Sequence, residues 1–140
     1  MSDLARNLAS RLRHFFGDRR RAERFKVSLP VRVTLVAEPH RSAPPQSIQG
    51  HTLDVSSSGI AVIVPAIRIA GDYLAGEDRK LEIRLQLPSG DIAIETKPVR
   101  YERLEEEETT LGYLIGMTIA SMTEADREVY KSYLATLVHR

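Results

Sequence analysis

The chain has 140 residues, no cysteine, no tryptophan, 42% hydrophobic and 28% charged residues, and a formal net charge of +1. That is the size and balance of one globular domain able to bury a core, and it excludes disulfides and thiolate metal sites. No apolar run approaches the length needed to span a bilayer, so no membrane span is expected. No apolar stretch followed by a small-residue cleavage site occurs in the first thirty residues, so the expected compartment is the cytoplasm.

The near-neutral total conceals an asymmetry. Up to Lys26 there are eight basic residues (Arg6, Arg11, Arg13, Arg19, Arg20, Arg21, Arg24, Lys26) against three acidic ones (Asp3, Asp18, Glu23), a local +5 that leaves −4 on the rest of the chain. Charge segregated in this way suggests a basic N-terminal segment that meets an anion, although such runs usually only face water.

Residues 2 to 16 read as an amphipathic helix: Leu4, Leu8, Leu12 and Phe15 recur at helical spacing, Ser2 or Asp3 can cap the start, and Gly17 ends it. A helix of about four turns is marginal alone, so its apolar stripe should dock, first of all on its own domain. From Lys26 onwards the period changes to two. Val27, Leu29, Val31, Val33 and Leu35 alternate with polar residues, with Pro30 tolerable near the strand's start or on an edge. Glu38 to Gln46 carries three prolines and reads as an exposed connection. A strand over Ile48 to Val55, the turn Ser56-Ser57-Ser58-Gly59 and a buried apolar run from Ile60 to Val64 follow as a hairpin-like unit.

Residues 65 to 78 are expected to be irregular. Leu81, Ile83, Leu85 and Leu87 alternate again, and Pro88-Ser89-Gly90-Asp91 turns into Ile92 and Ile94, a second hairpin. Val99, Tyr101 and Arg103 carry that strand to an acidic tip at Glu105 to Glu108, and Leu111 to Ile119 returns as a last strand. Thr123 with Asp126 forms an approximate capping box for a final helix with Val129, Tyr130, Tyr133, Leu134 and Leu137 on its apolar face. The expected fold is all-β: a six-stranded antiparallel Greek-key barrel with an N-terminal amphipathic helix and a C-terminal helix. Residues 1–18 form the N-terminal helix, and 19–140 the barrel domain, including a basic arm (19–26) and the C-terminal helix (123–138).

Little in the chain suggests catalysis. The histidines His14, His40, His51 and His139 are scattered, and neither a Gly-x-Ser-x-Gly elbow nor a Gly-x-x-x-x-Gly-Lys phosphate loop occurs. The sequence is therefore read as a non-enzyme without a metal. Two constellations stand out: Arg20-x-x-x-Arg24 before the first strand, and Asp54-x-Ser56-x-x-Gly59 at the turn after the second. With sixteen arginines the first arises by chance about once or twice, whereas the second is expected only about 0.03 times at this composition. Singly, each has a plain alternative: the arginines as surface charges, Asp54 and Ser56 as turn caps, Gly59 as a turn residue.

Together and in this order, these residues resemble the PilZ domain family, whose members bind the bacterial second messenger cyclic di-GMP. Arg24-Phe25-Lys26-Val27-Ser28-Leu29-Pro30-Val31 is similar to the family's entry strand, and Asp54-Val55-Ser56-Ser57-Ser58-Gly59-Ile60 to its turn. The resemblance spans roughly residues 19 to 138. The Glu38–Gln46 loop looks longer than family members usually need, and Met117-Thr118-Ile119 stands where an aromatic residue is common.

The resemblance implies a cyclic di-GMP site formed by Arg19, Arg20, Arg24, Asp54, Ser56 and Gly59. An arginine fork matches the O6/N7 edge of guanine and also stacks on purines and pairs with phosphate, which suits Arg20 and Arg24. Asp54 would accept from guanine N–H donors, Ser56 would bond base or phosphate, and Gly59 would allow positive φ or close backbone approach. Arg19, directly before the pair, implies two stacked ligand molecules per chain. Neutralising the arm's repelling arginines would wrap it onto the barrel and reposition the helix of residues 2–16 for an unidentified protein partner. Two rival readings are a PilZ-like adaptor that binds no ligand and a single-stranded nucleic-acid module. The second conflicts with the acidic body and the lack of an aromatic platform, so no nucleic-acid partner is expected.

Overall fold

A computed structural model describes residues 22–36, 47–69, 72–74, 79–106 and 109–138. The helix expected at 2–16, the arm up to residue 21 and the proline-rich connection lie outside the described residues.

The elements in chain order are β1 (Phe25–Lys26), β2 (Pro30–Leu35), β3 (Ser47–Val55), β4 (Gly59–Val64), β5 (Arg68–Ile69), β6 (Asp72–Tyr73), β7 (Leu81–Leu87), β8 (Gly90–Glu106), β9 (Thr109–Ser121) and α1 (Glu124–Val138). The main sheet runs β1-β3-β2-β7-β8-β9-β4, and β4 also pairs with β3. That last pairing closes β2, β3, β4, β9, β8 and β7 into a six-stranded antiparallel barrel. Because β7 returns to lie beside β2 after the consecutive strands β2, β3 and β4, the connection is a Greek key.

The period-two pattern becomes the barrel's inside and outside. Val31, Val33 and Leu35 of β2, Leu81, Ile83, Leu85 and Leu87 of β7, and Ile92 and Ile94 of β8 point inward and are all buried. Along β4, Ile60, Val62 and Val64 join this core, while Ala61 packs with Leu104, Leu114, Leu53 and Ile63 in a second cluster on the other face. A strand covered on both sides explains the uninterrupted apolar run read there. Pro30 opens β2 between β3 and β7, so it is tolerated by its first position and not by an edge.

The segment expected to be irregular after Val64 contains the small hairpin β5–β6, with Arg68 opposite Tyr73. At the β7–β8 turn, Pro88 takes the position where its fixed φ suits a tight turn, and Gly90 follows at φ +137°. Strand β8 is one continuous element that pairs with β7 from Gly90 to Thr96 and with β9 from Glu95 to Glu106, with register shifts against β9 between Glu95 and Thr96, Pro98 and Arg100, and Leu104 and Glu105.

Helix α1 lies across the barrel end formed by the β3–β4 and β7–β8 turns. It buries Tyr130, Leu134 and Leu137 on one stripe. Thr123 Oγ1 accepts from Asp126 N at 3.1 Å, the expected N-cap. The capping box is not completed: Asp126 Oδ2 accepts from Ala93 N at 3.1 Å instead, tying the helix start to β8. Beside the helix, Pro88, Ser89, Glu128, Val129, Ser132, Tyr133 and Thr136 line an open, mainly apolar depression of about 470 Å³. Among the described residues no helix is long and apolar enough to cross a membrane.

Candidate ligand site

Two irregularities in β3 build the site. Strands β1 and β2 lie end to end along the same side of β3, but their registers differ by one residue: Lys26 opposes Asp54, whereas Pro30 opposes His51. Val27 to Leu29 absorb the slip, and the buried Thr52 side chain serves the backbone groups it leaves over. Thr52 Oγ1 donates to Val27 O at 2.5 Å and accepts from Leu29 N at 2.9 Å, while Thr52 N donates to Leu29 O at 2.9 Å. A backbone stretch that would otherwise carry unpaired polar groups is thereby held against the barrel.

On its other side β3 shifts register against β4 between Thr52 and Asp54, with Leu53 as the extra residue. Val55 beyond the bulge belongs to the barrel core, so Asp54 is turned to the outer face beside Ala61. There it meets the arm. Arg24 Nη1 donates to Asp54 Oδ1 at 2.5 Å, with the two side chains only 8% and 6% exposed. Phe25, the next residue, opposes Val55, so β1 pairing delivers the guanidinium to the carboxylate.

Two residues further on, Ser56 organises the turn. Its Oγ accepts from Gly59 N at 3.0 Å and Ser58 N at 3.3 Å and donates to Gly59 O at 3.2 Å, while Ser56 N donates to Gly59 O at 2.9 Å. The hydroxyl thus uses its donor and both acceptor sites within the turn, and the residue is fully buried. Of the two roles open to Ser56 in the sequence, this geometry displays the turn-capping one. Gly59 is buried at the start of β4 opposite Thr118. Positive φ is found at Gly90 and Gly112.

A residue outside both sequence motifs completes the arrangement. Tyr130 of α1 is 2% exposed, and its OH donates to Ser56 O at 2.6 Å. Burial foremost, and then the negative charge of Asp54, push the phenol's ionisation far above its ordinary range, with Arg24 acting in the opposite direction. The signal for it was present: a tyrosine in a helix's apolar stripe needs a partner for its hydroxyl once buried. Ser58 O accepts from Ile119 N at 2.9 Å, so the turn is also held by the end of β9.

Of the residues expected at the site, the structure brings Arg24 and Asp54 into contact, with Ser56 and Gly59 in the adjoining turn. Arg19 and Arg20 lie outside the described residues. The arrangement has the chemistry of a guanidinium and carboxylate pair at the foot of a rigid turn, suited to a ligand offering both acceptors and donors.

Among curated proteins no relative matches the sequence. Solved structures share the fold at low identity. The structure described as the PilZ domain with c-di-GMP of YcgR from Escherichia coli is 12% identical, with a TM-score of 0.62 over 87% of this chain and 93% of that one. The K. pneumonia MrkH–c-di-GMP complex is 16% identical, with a TM-score of 0.64 over 87% of this chain and 53% of that one. The Bacillus subtilis inhibitor of motility MotI/DgrA is 19% identical, with a TM-score of 0.59 over 89% and 51%. This chain therefore spans about half the length of the last two. The family model described as PilZ domain matches residues 18–136, from the basic arm through α1, and the chain belongs to the PilZ domain family.

Proposed function

We propose that this chain is a non-catalytic cyclic di-GMP receptor of the cytoplasm, whose ligand bridges the basic arm and the β3–β4 turn. The observation that carries the reading is the meeting of Arg24 and Asp54, thirty residues apart in sequence, on the outer face of the barrel. It supports treating Arg-x-x-x-Arg and Asp-x-Ser-x-x-Gly as two halves of one site.

In this reading Arg20 and Arg24 present planar forks to guanine and phosphate, and Asp54 accepts from guanine N–H groups. Gly59 keeps the turn free of a side chain where the ligand approaches, and Ser56 either bonds base or phosphate or acts through the turn it holds. Arg19 adds a third cation, and two stacked ligand molecules bind per chain. Their phosphates neutralise an arm that is otherwise self-repelling, and the arm's new position regulates a protein partner. The YcgR and MrkH structures hold c-di-GMP, which supports the choice of ligand.

Titration calorimetry with cyclic di-GMP tests this directly. Micromolar or tighter binding at two ligands per chain, abolished in both Arg24→Ala and Asp54→Ala, is the expected result. Absence of binding to the folded wild-type chain overturns the receptor reading; a stoichiometry of one overturns the stacked pair.

A further inference from the structure

We propose that Tyr130 is a positioning residue that couples the C-terminal helix to the ligand turn, so that occupancy of the turn tightens the docking of α1. The inference rests on the receptor reading and adds a route by which binding would leave the site.

The contacts form a ring. Tyr130 OH bonds Ser56 O at 2.6 Å, and Ser56 holds Ser58 and Gly59 through its own Oγ. Ser58 O takes the Ile119 amide, and the chain from Ile119 runs through Ser121 directly into α1 and back to Tyr130. A displacement of the turn is therefore passed to the helix at two points. A further polar tie of the helix to the barrel is independent of this turn, since Asp126 reaches Ala93 on β8. Along the stripe of the half-buried Asp126 and the buried Tyr130, Leu134 and Leu137, Tyr130 is thus the residue hydrogen-bonded to the ligand motif.

The electrostatics run in the same direction. Asp54 and Arg24 both act on the phenol, with opposite signs. A ligand that draws Arg24 towards its phosphates and engages Asp54 changes the field at the Tyr130 O–H and hence the strength of its bond to Ser56. Any shift of α1 also reshapes the apolar depression bounded by Val129, Tyr133 and Pro88.

The test is amide hydrogen exchange along α1 with and without saturating cyclic di-GMP, alongside titration calorimetry, for the wild type and Tyr130→Phe. In the wild type the ligand slows α1 exchange about tenfold; in Tyr130→Phe the ligand binds about tenfold more weakly and α1 no longer responds. Thr123→Ala loosens the helix at its cap without touching the turn, and by reciprocity of coupling it also weakens ligand affinity; it serves as the second variant if Tyr130→Phe fails to fold. Ligand binding with unchanged α1 exchange in the wild type, an undiminished response in Tyr130→Phe, or unchanged affinity in Thr123→Ala overturns the coupling alone. No binding to the wild type overturns the receptor reading and the coupling with it.

Discussion

Arg24 and Asp54 hold each other through a 2.5 Å hydrogen bond between side chains that are almost withdrawn from solvent. The pair ties the residue before β1 to the barrel strand β3. Removing one member takes its opposite charge from a group held almost out of solvent, so Arg24→Ala and Asp54→Ala should each lower stability by about 3 kcal/mol in urea denaturation. The double variant should lose clearly less than the two losses added together, because the pair is lost only once. Strict additivity would show that the contact contributes nothing to the fold.

Thr52→Val deletes the hydroxyl that serves Val27 O and Leu29 N while keeping the shape of the side chain. With two backbone groups left over in a buried position, a loss of about 2 kcal/mol is expected, and faster exchange of the Leu29 amide should accompany it. Thr52→Ser, which restores the oxygen, should recover most of the loss. A Thr52→Val protein as stable as the wild type would mean that water serves the register slip equally well.

Two glycines with similar backbone angles should respond differently to alanine. At Gly90, φ is +137° and an added Cβ meets no atom within 4 Å, so Gly90→Ala pays only for conformation, about 1 kcal/mol. At Gly112, φ is +133° and the Cβ would stand 2.8 Å from Val64 O, a backbone atom of the neighbouring strand. Gly112→Ala should therefore cost at least about twice as much. Equal thermal shifts for the two variants would contradict this ordering.

The raised ionisation of Tyr130 sets a sign for alkaline pH. An ordinary phenol titrates near 10, and the folded state holds this one protonated to higher pH. Above about pH 10 the unfolded chain therefore binds fewer protons than the folded one, and stability falls as pH rises. The contribution is fully present below that value. Wild type should lose more stability between pH 9 and pH 11 than Tyr130→Phe does, as read from denaturation midpoints across that range. Parallel pH profiles would show that the phenol ionises as freely in the folded chain as in the unfolded one.

The barrel strands were legible because most inward residues are apolar and most outward ones polar, and the motif residues were legible because of their type and order. What sequence could not show depends on departures from regularity. The alternation through Val27, Leu29 and Val31 runs straight across a register slip, since a one-residue offset changes the partner strand's numbering and not the local pattern. Leu53 likewise looks like any strand residue, although its bulge is what turns Asp54 outward. Tyr130 was assigned to the helix's apolar face from its spacing, but its hydroxyl's acceptor sits 74 residues away, a distance that no local pattern encodes. The half-formed capping box fails for the same reason: Asp126 is claimed by an amide on β8.

Closure of the barrel by the pairing of β4 with β3 also limits how information can leave this domain. Over the closed stretch all six barrel strands have neighbours on both sides and offer no backbone row for another chain to extend, whereas β8 from Lys97 to Glu106 pairs with β9 alone among the described strands. Recognition of the closed stretch must then be written in side chains and in the helix laid over its end. What such a domain passes on then depends on which of its surface groups move.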